Sequence, residues 1–131
     1  VHIRRGDYLT NRSWFFKNQI VIPLDYYLEA FDYFRSAIDS PLFEVYTDDE
    51  AWALKTFELM PDVKVIASED LVPFVLLAQM ASYQNFIIAN STLSLWAAAV
   101  SEESQKKVIL PLSWGKGIFS KKYQLDNWIA L

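Results

Sequence analysis

Five short apolar runs, spaced along the whole chain and separated by longer segments, constrain its fold more than any other feature. The runs are residues 1–4, Leu42-Phe43-Glu44-Val45-Tyr46, Val63-Lys64-Val65-Ile66, Asn85-Phe86-Ile87-Ile88-Ala89 and Lys107-Val108-Ile109-Leu110. Each has the length of a buried strand and is bounded by polar or turn residues. Over residues 24–38, Leu24, Tyr27, Leu28, Phe31, Phe34 and Ile38 fall on one helical face, with Pro23 at a first-turn position and Pro41 as a stop. Residues 49–60 read as a second helix, ended by Pro61-Asp62. Residues 71–83 read as a third, so uniformly apolar that it is expected to be buried between neighbours. Asn90-Ser91-Thr92 opens a fourth that runs to about residue 100, with Trp96 and the alanines after it as packing residues. Residues 5–23 read as a loop carrying an aromatic cluster, Trp14-Phe15-Phe16. The tail, with Trp114, Phe119, Tyr123 and Trp128, reads as irregular with a short helix at its end.

Alternation of strand and helix predicts a three-layer α/β/α domain with a parallel, Rossmann-like sheet of about five strands. Right-handed crossovers and the commonest doubly wound order place the strands as 3-2-1-4-5, reversing between the first and the fourth. The 131 residues form one domain, with no internal repeat or linker. A 53% hydrophobic and 16% aromatic composition excludes a disordered chain, and a net charge of −4 argues against a nucleic-acid surface. With no cysteine there is neither a disulfide framework nor a thiolate metal site, which fits a reducing cytoplasm. The longest apolar run, residues 71–81, is interrupted by Pro73 and Gln79 and is too short to cross a bilayer. The chain lacks an initiator Met and starts inside a strand, so it is expected to be a piece of a longer protein.

In open α/β sheets a ligand binds beyond the carboxyl ends of the strands, where the order reverses. His2-Ile3-Arg4-Arg5-Gly6-Asp7-Tyr8 leaves the first strand, Thr47-Asp48-Asp49 the second, and Asn90-Ser91-Thr92-Leu93-Ser94 the fourth. The proposed order brings these three polar clusters to one rim. Arg4 or Arg5 can grip a pyrophosphate through a planar fork of donors. The helix start at Ser91 and Thr92 offers backbone N–H groups and a positive dipole end. With three glycines and no Gly-rich phosphate loop, arginine and helix terminus take over that work. Such a site suits a transferase whose leaving group is a nucleoside diphosphate, because preorganised cations stabilise the charge that grows as the sugar bond breaks. His2 points to the same face as Arg4. Asp48 and Asp49 are ligand contacts, helix caps or partners of an arginine, Arg5 above all. A receiver-like domain that holds Mg²⁺ on Asp48 and Asp49 is the competing use of those acids, and the neighbouring arginines argue against it.

His2-x-Arg4-Arg5-Gly6-Asp7-Tyr8 resembles the first motif of the α-1,2-fucosyltransferases (glycosyltransferase family 11). Val45-Tyr46-Thr47-Asp48-Asp49 is similar to the strand-plus-acid motif that follows there, and Ile87 to Ala98 to the family's Asn-Ser-(Ser/Thr)-Phe-Ser-Trp-Trp block. Val108-Ile109-Leu110-Pro111, Trp114 and Trp128 resemble its ending. The resemblance implies the GDP-fucose-binding lobe of a two-lobed, inverting GT-B enzyme that moves fucose onto a galactoside hydroxyl in α-1,2 linkage, with no obligatory metal or cofactor. It implies as partners GDP-fucose, a glycan acceptor with terminal galactose and an N-terminal lobe. By matching position it places His2 on the guanosine, Arg4 on the β-phosphate, Ser91 or Thr92 on the diphosphate or ribose, and Asp7 in the catalytic surroundings. Arg4 and Asp7 are thus the candidate catalytic residues, and His2, Arg4, Arg5, Asp48, Asp49, Asn90, Ser91, Thr92 and Ser94 the candidate donor contacts. The implied location is cytoplasmic, peripheral to the inner membrane in a bacterium, or the Golgi lumen in a eukaryote. Leu93 and Leu95 stand where the block carries Phe and Trp, and Leu76-Leu77 where related enzymes carry an acid that reads guanine. Those departures favour an inactive nucleotide-binding or interaction domain as the alternative.

Overall fold

In the computed structural model, which describes residues 1–10, 20–68 and 71–131, the apolar runs form parallel strands. Strand β1 (His2–Ile3) pairs with β2 (Phe43–Thr47), and β2 with β3 (Val63–Val65), all in parallel. Strand β4 (Phe86–Ile87) pairs with β5 (Val108–Leu110), and β5 with the terminal strand β8 (Ile129–Ala130), again in parallel. The orders 3-2-1 and 4-5 are those expected. The single sheet of about five strands is instead two parallel sheets of three strands each. Strands β1 and β4 have two residues apiece and are joined by side chains: Ile3, Ile87 and Ile109 share one core cluster.

The two-residue period of the strands sorts the core into two layers. On one face Ile3, Phe43, Val45, Ile87 and Ile109 meet Tyr26, Tyr27, Ala30, Phe31 and Phe34 of α2 (Leu24–Ala37) and Ala53 and Phe57 of α3 (Glu50–Phe57). On the other, Tyr46 packs with Met80 of α4 (Pro73–Ala81) and Ala97 of α5 (Thr92–Val100), while Phe86, Ile88, Val108 and Leu110 pack with Ala98 of α5. Helices therefore cover both faces, as the alternation predicts.

Three local expectations change. The third predicted helix, α4, is not buried between neighbours: only Met80 in it is fully buried, Phe74 is 80% exposed, and Val72 beside it is 61% exposed. It lies at the outside of its layer against α5, and an apolar composition does not say whether both flanks find partners. Trp96 is likewise 59% exposed rather than packed. Within the predicted loop, residues 6–10 form a short helix, α1 (Gly6–Thr10); the Trp14-Phe15-Phe16 cluster lies outside the described residues. The tail is not irregular. It makes the antiparallel hairpin β6 (Ser113–Gly115) and β7 (Ile118–Phe119), turned at Gly117 with φ +71°, then a 3-10 turn and β8. Trp114 and Trp128 are buried, whereas Phe119 is exposed.

Candidate functional site

A cavity of about 360 Å³ opens at the carboxyl ends of β1, β2 and β3. His2 and Arg4 line it from β1 and its exit, and Thr47 and Asp48 from β2. Ser68, beyond β3, and Leu71, Pro73, Leu76 and Leu93 from the α4–α5 side complete its walls. Polar groups thus face apolar ones across the space, the composition of a site for a partly apolar ligand. A larger cavity, about 580 Å³, lies at the amino ends of the strands around Val1, Phe34, Pro41, Glu44 and Tyr83, and none of the candidate residues named above lines it.

Asp48 organises the exit from β1. Its carboxylate accepts from the backbone N–H of Arg5 at 2.9 Å, of Gly6 at 3.1 Å and of Asp7 at 3.4 Å, closing the start of α1 from a neighbouring strand. Its Oδ2 also lies 3.2 Å from Arg4 Nε. Burial pushes the Asp48 carboxyl up, but these N–H donors and the Arg4 charge outweigh it and hold the group below the usual carboxylate range. The same closeness explains Gly6: a Cβ there would stand 2.7 Å from the Asp48 carbonyl oxygen. Arg4 donates from Nη2 to Asp7 Oδ2 at 2.5 Å. Burial opposes the Arg4 charge, but Asp7 and Asp48 prevail and raise the guanidinium above its ordinary value.

Arg5 turns away from that pair. Its Nε donates to Asp49 at 2.8 Å, and its guanidinium lies 4.2 Å over the Trp52 ring. Asp49 also caps α3 by accepting from Trp52 N–H at 3.3 Å. Of the uses open to Asp48 and Asp49, the structure shows capping and arginine pairing for both.

His2 is 3% exposed, and its Nδ1 is buried with no hydrogen-bond partner among the described residues. Burial first, then neighbouring positive charge including Arg4, lowers its pKa to about 3, so the imidazole is neutral at physiological pH. A neutral imidazole in the cavity wall offers a ligand a hydrogen-bonding contact rather than a charge.

The third cluster meets the first through Tyr8, whose hydroxyl donates to the Asn90 carbonyl at 3.0 Å. Asn90 is buried; its Nδ2 donates to the Ile20 carbonyl at 2.8 Å and the Trp114 carbonyl at 3.1 Å, and its Oδ1 has no partner among the described residues. Ser91 stands at the N-cap of α5 without a side-chain cap, and Thr92 is exposed at the first turn. Ser94 is fully buried, its hydroxyl donating within its own segment to the Ser91 and Ala89 carbonyls at 3.2 and 3.4 Å. His2, Arg4 and Asp48 therefore share one cavity. The Asn90-Ser91-Thr92 corner reaches that cavity only through Leu93, and Arg5, Asp49 and Ser94 sit outside its lining. Thr47, Ser68 and Leu71 are wall residues that sequence reasoning did not single out, and Leu76 entered it only as a departure from the family pattern. Thr47 stood inside a motif already named, whereas Ser68 follows β3 in no recognisable pattern.

Comparison with known proteins places the chain in a family. The chain is 37% identical over its whole length to the O-antigen biosynthesis glycosyltransferase WbnK of Escherichia coli, covering 43% of that protein. It is 32% identical over 87% of its length to the alpha-1,2-colitosyltransferase of Escherichia coli, covering 40% of it. It is also 32% identical over 75% of its length to the galactoside 2-alpha-L-fucosyltransferase Sec1 of Mus musculus, covering 27% of it. The chain thus spans less than half the length of these curated relatives. No solved structure matches it. The model of one family, glycosyl transferase family 11, matches residues 1–131, which takes in the Arg4 exit, the Asp48 cap and the Asn90 corner together. The chain belongs to glycosyl transferase family 11.

Proposed function

We propose that this domain is the donor-binding lobe of an inverting α-1,2-fucosyltransferase of the GT-B type, which moves fucose from GDP-fucose to a galactoside hydroxyl. The observation that carries the reading is the position of Arg4. It projects from the carboxyl end of β1 beside a cavity of about 360 Å³ whose floor is the buried, neutral His2. In this reading His2 contacts the guanosine, Arg4 the β-phosphate, and the start of α5 at Ser91 and Thr92 the diphosphate or ribose. As the bond to fucose breaks, negative charge collects on the leaving diphosphate, and a guanidinium already in place stabilises it without reorganisation. No obligatory metal is invoked for that step. Asp7 belongs to the catalytic surroundings through its bond to Arg4, and an N-terminal lobe outside these residues completes the acceptor side with its terminal galactose.

Calorimetric titration of GDP, GDP-fucose and ADP tests the reading. Guanine ligands are expected to bind better than ADP, and Arg4→Ala to weaken GDP by ~10²-fold, the order of a lost charge-assisted contact. Equal binding of ADP, or full binding by Arg4→Ala, overturns it. One observation favours a second reading, an inactive nucleotide-binding or interaction domain of the same fold: Leu76, an apolar residue, lines the cavity where a base-reading acid is expected. Fucose transfer to a galactoside by the full-length protein would remove that alternative.

A further inference from the structure

Two carboxylates hold Arg4, and they hold it differently. Asp48 is built into the frame: three backbone N–H groups fix it, and its Oδ2 lies 3.2 Å from Arg4 Nε. Asp7 rides on the first turn of α1 and takes the far end of the guanidinium, Nη2, at 2.5 Å through Oδ2. Its Oδ1 is buried and has no partner among the described residues. Buried carboxylate oxygens in permanent structural pairs are normally satisfied on both sides, so this pairing is half made. The Nη end is also the end of a guanidinium free to meet an incoming anion once Nε is engaged.

We infer that the two acids have opposite effects on ligand binding: Asp48 is a positioning residue that aims Arg4 through Nε, and Asp7 is a place-holder that occupies Nη2 until the phosphate of a nucleoside diphosphate displaces it. The inference rests on the reading that Arg4 receives a diphosphate. An internal competitor reduces apparent affinity by the fraction of time the arginine is engaged. Removing the Asp7 charge while keeping its shape therefore tightens binding. Replacing Asp48 by Asn puts an amide N–H₂ among groups that are all donors, releases Arg4 and uncaps α1, and so weakens binding. Two acids with a common structural duty would instead both weaken it.

The test is calorimetric titration of GDP into the full-length wild-type protein, Asp7→Asn and Asp48→Asn, with a thermal melt of each to establish that it is folded. Asp7→Asn is expected to bind GDP about three- to tenfold more tightly than wild type, and Asp48→Asn at least about tenfold more weakly. Unchanged or weaker GDP binding by Asp7→Asn overturns the inference, as does unchanged binding by a folded Asp48→Asn. Should Asp48→Asn fail to fold, the Asp7→Asn arm decides alone. Wild-type protein that takes up no GDP overturns the underlying reading of the site, a result read without either variant.

Discussion

His2 is a titratable side chain placed where it cannot hold a proton. Its pKa falls to about 3 from an ordinary value near 6.5 because burial and nearby positive charge penalise the imidazolium. The unfolded chain accepts a proton at pH 5 that the native state refuses, so the contribution of His2 to stability is full above about pH 6.5 and is lost as the pH falls toward 3. Urea midpoints are expected to drop from pH 7 to pH 5 in the wild type and to stay flatter in His2→Gln, and equal drops would contradict this assignment. The measured interval from pH 7 to pH 5 lies above the range in which Asp48 titrates, since that carboxyl is held below its usual value. At this scale the residues that gather around Arg4 were legible in the sequence, because His2, Arg4, Asp7 and Asp48 all stand in recognisable motifs. It did not announce the division of labour between the two arginines. Arg4 and Arg5 are neighbours in an identical local pattern, and only the placement of Trp52 and Asp49 draws Arg5 aside.

Among the elements, α2 and α4 contrast most usefully. The amphipathic α2 drives Tyr26, Tyr27, Ala30, Phe31 and Phe34 into the core, while the almost wholly apolar α4 buries only Met80 completely. Phe31→Ala should cost about 3–5 kcal/mol through the cavity it leaves, and Phe74→Ser no more than about 0.5 kcal/mol, both measured by urea denaturation. A large loss for Phe74→Ser would mean that α4 is more deeply buried than described. The one-sided period of α2 made its burial legible, whereas an all-round apolar helix carries no directional information. Helix α1 was hidden for a different reason. Its N-terminal donors are satisfied by Asp48, about forty residues downstream, so no local capping residue marks its start.

Across the whole molecule, two three-stranded parallel sheets stand side by side, and the hydroxyl of Tyr8 ties the exit of one to the exit of the other through the Asn90 carbonyl. Tyr8→Phe keeps the ring and deletes that bond. It should lower stability by about 1 kcal/mol, read as a fall in urea midpoint, and an unchanged midpoint would show that the tie carries no weight. The alternation of apolar runs and helices by itself determined the α/β/α layering and the parallel pairing, because side-chain period and strand length are local properties written in consecutive residues; the family resemblance was carried instead by the motifs that leave the first, second and fourth strands. The tertiary structure alone decided that the sheet is divided between β1 and β4, that the tail returns as β8 beside β5, and that Asp48 closes the first motif from another strand. Those outcomes depend on which groups meet across about twenty to eighty residues of intervening chain. Backbone donors must find acceptors wherever the fold brings them, and local sequence does not specify that partner.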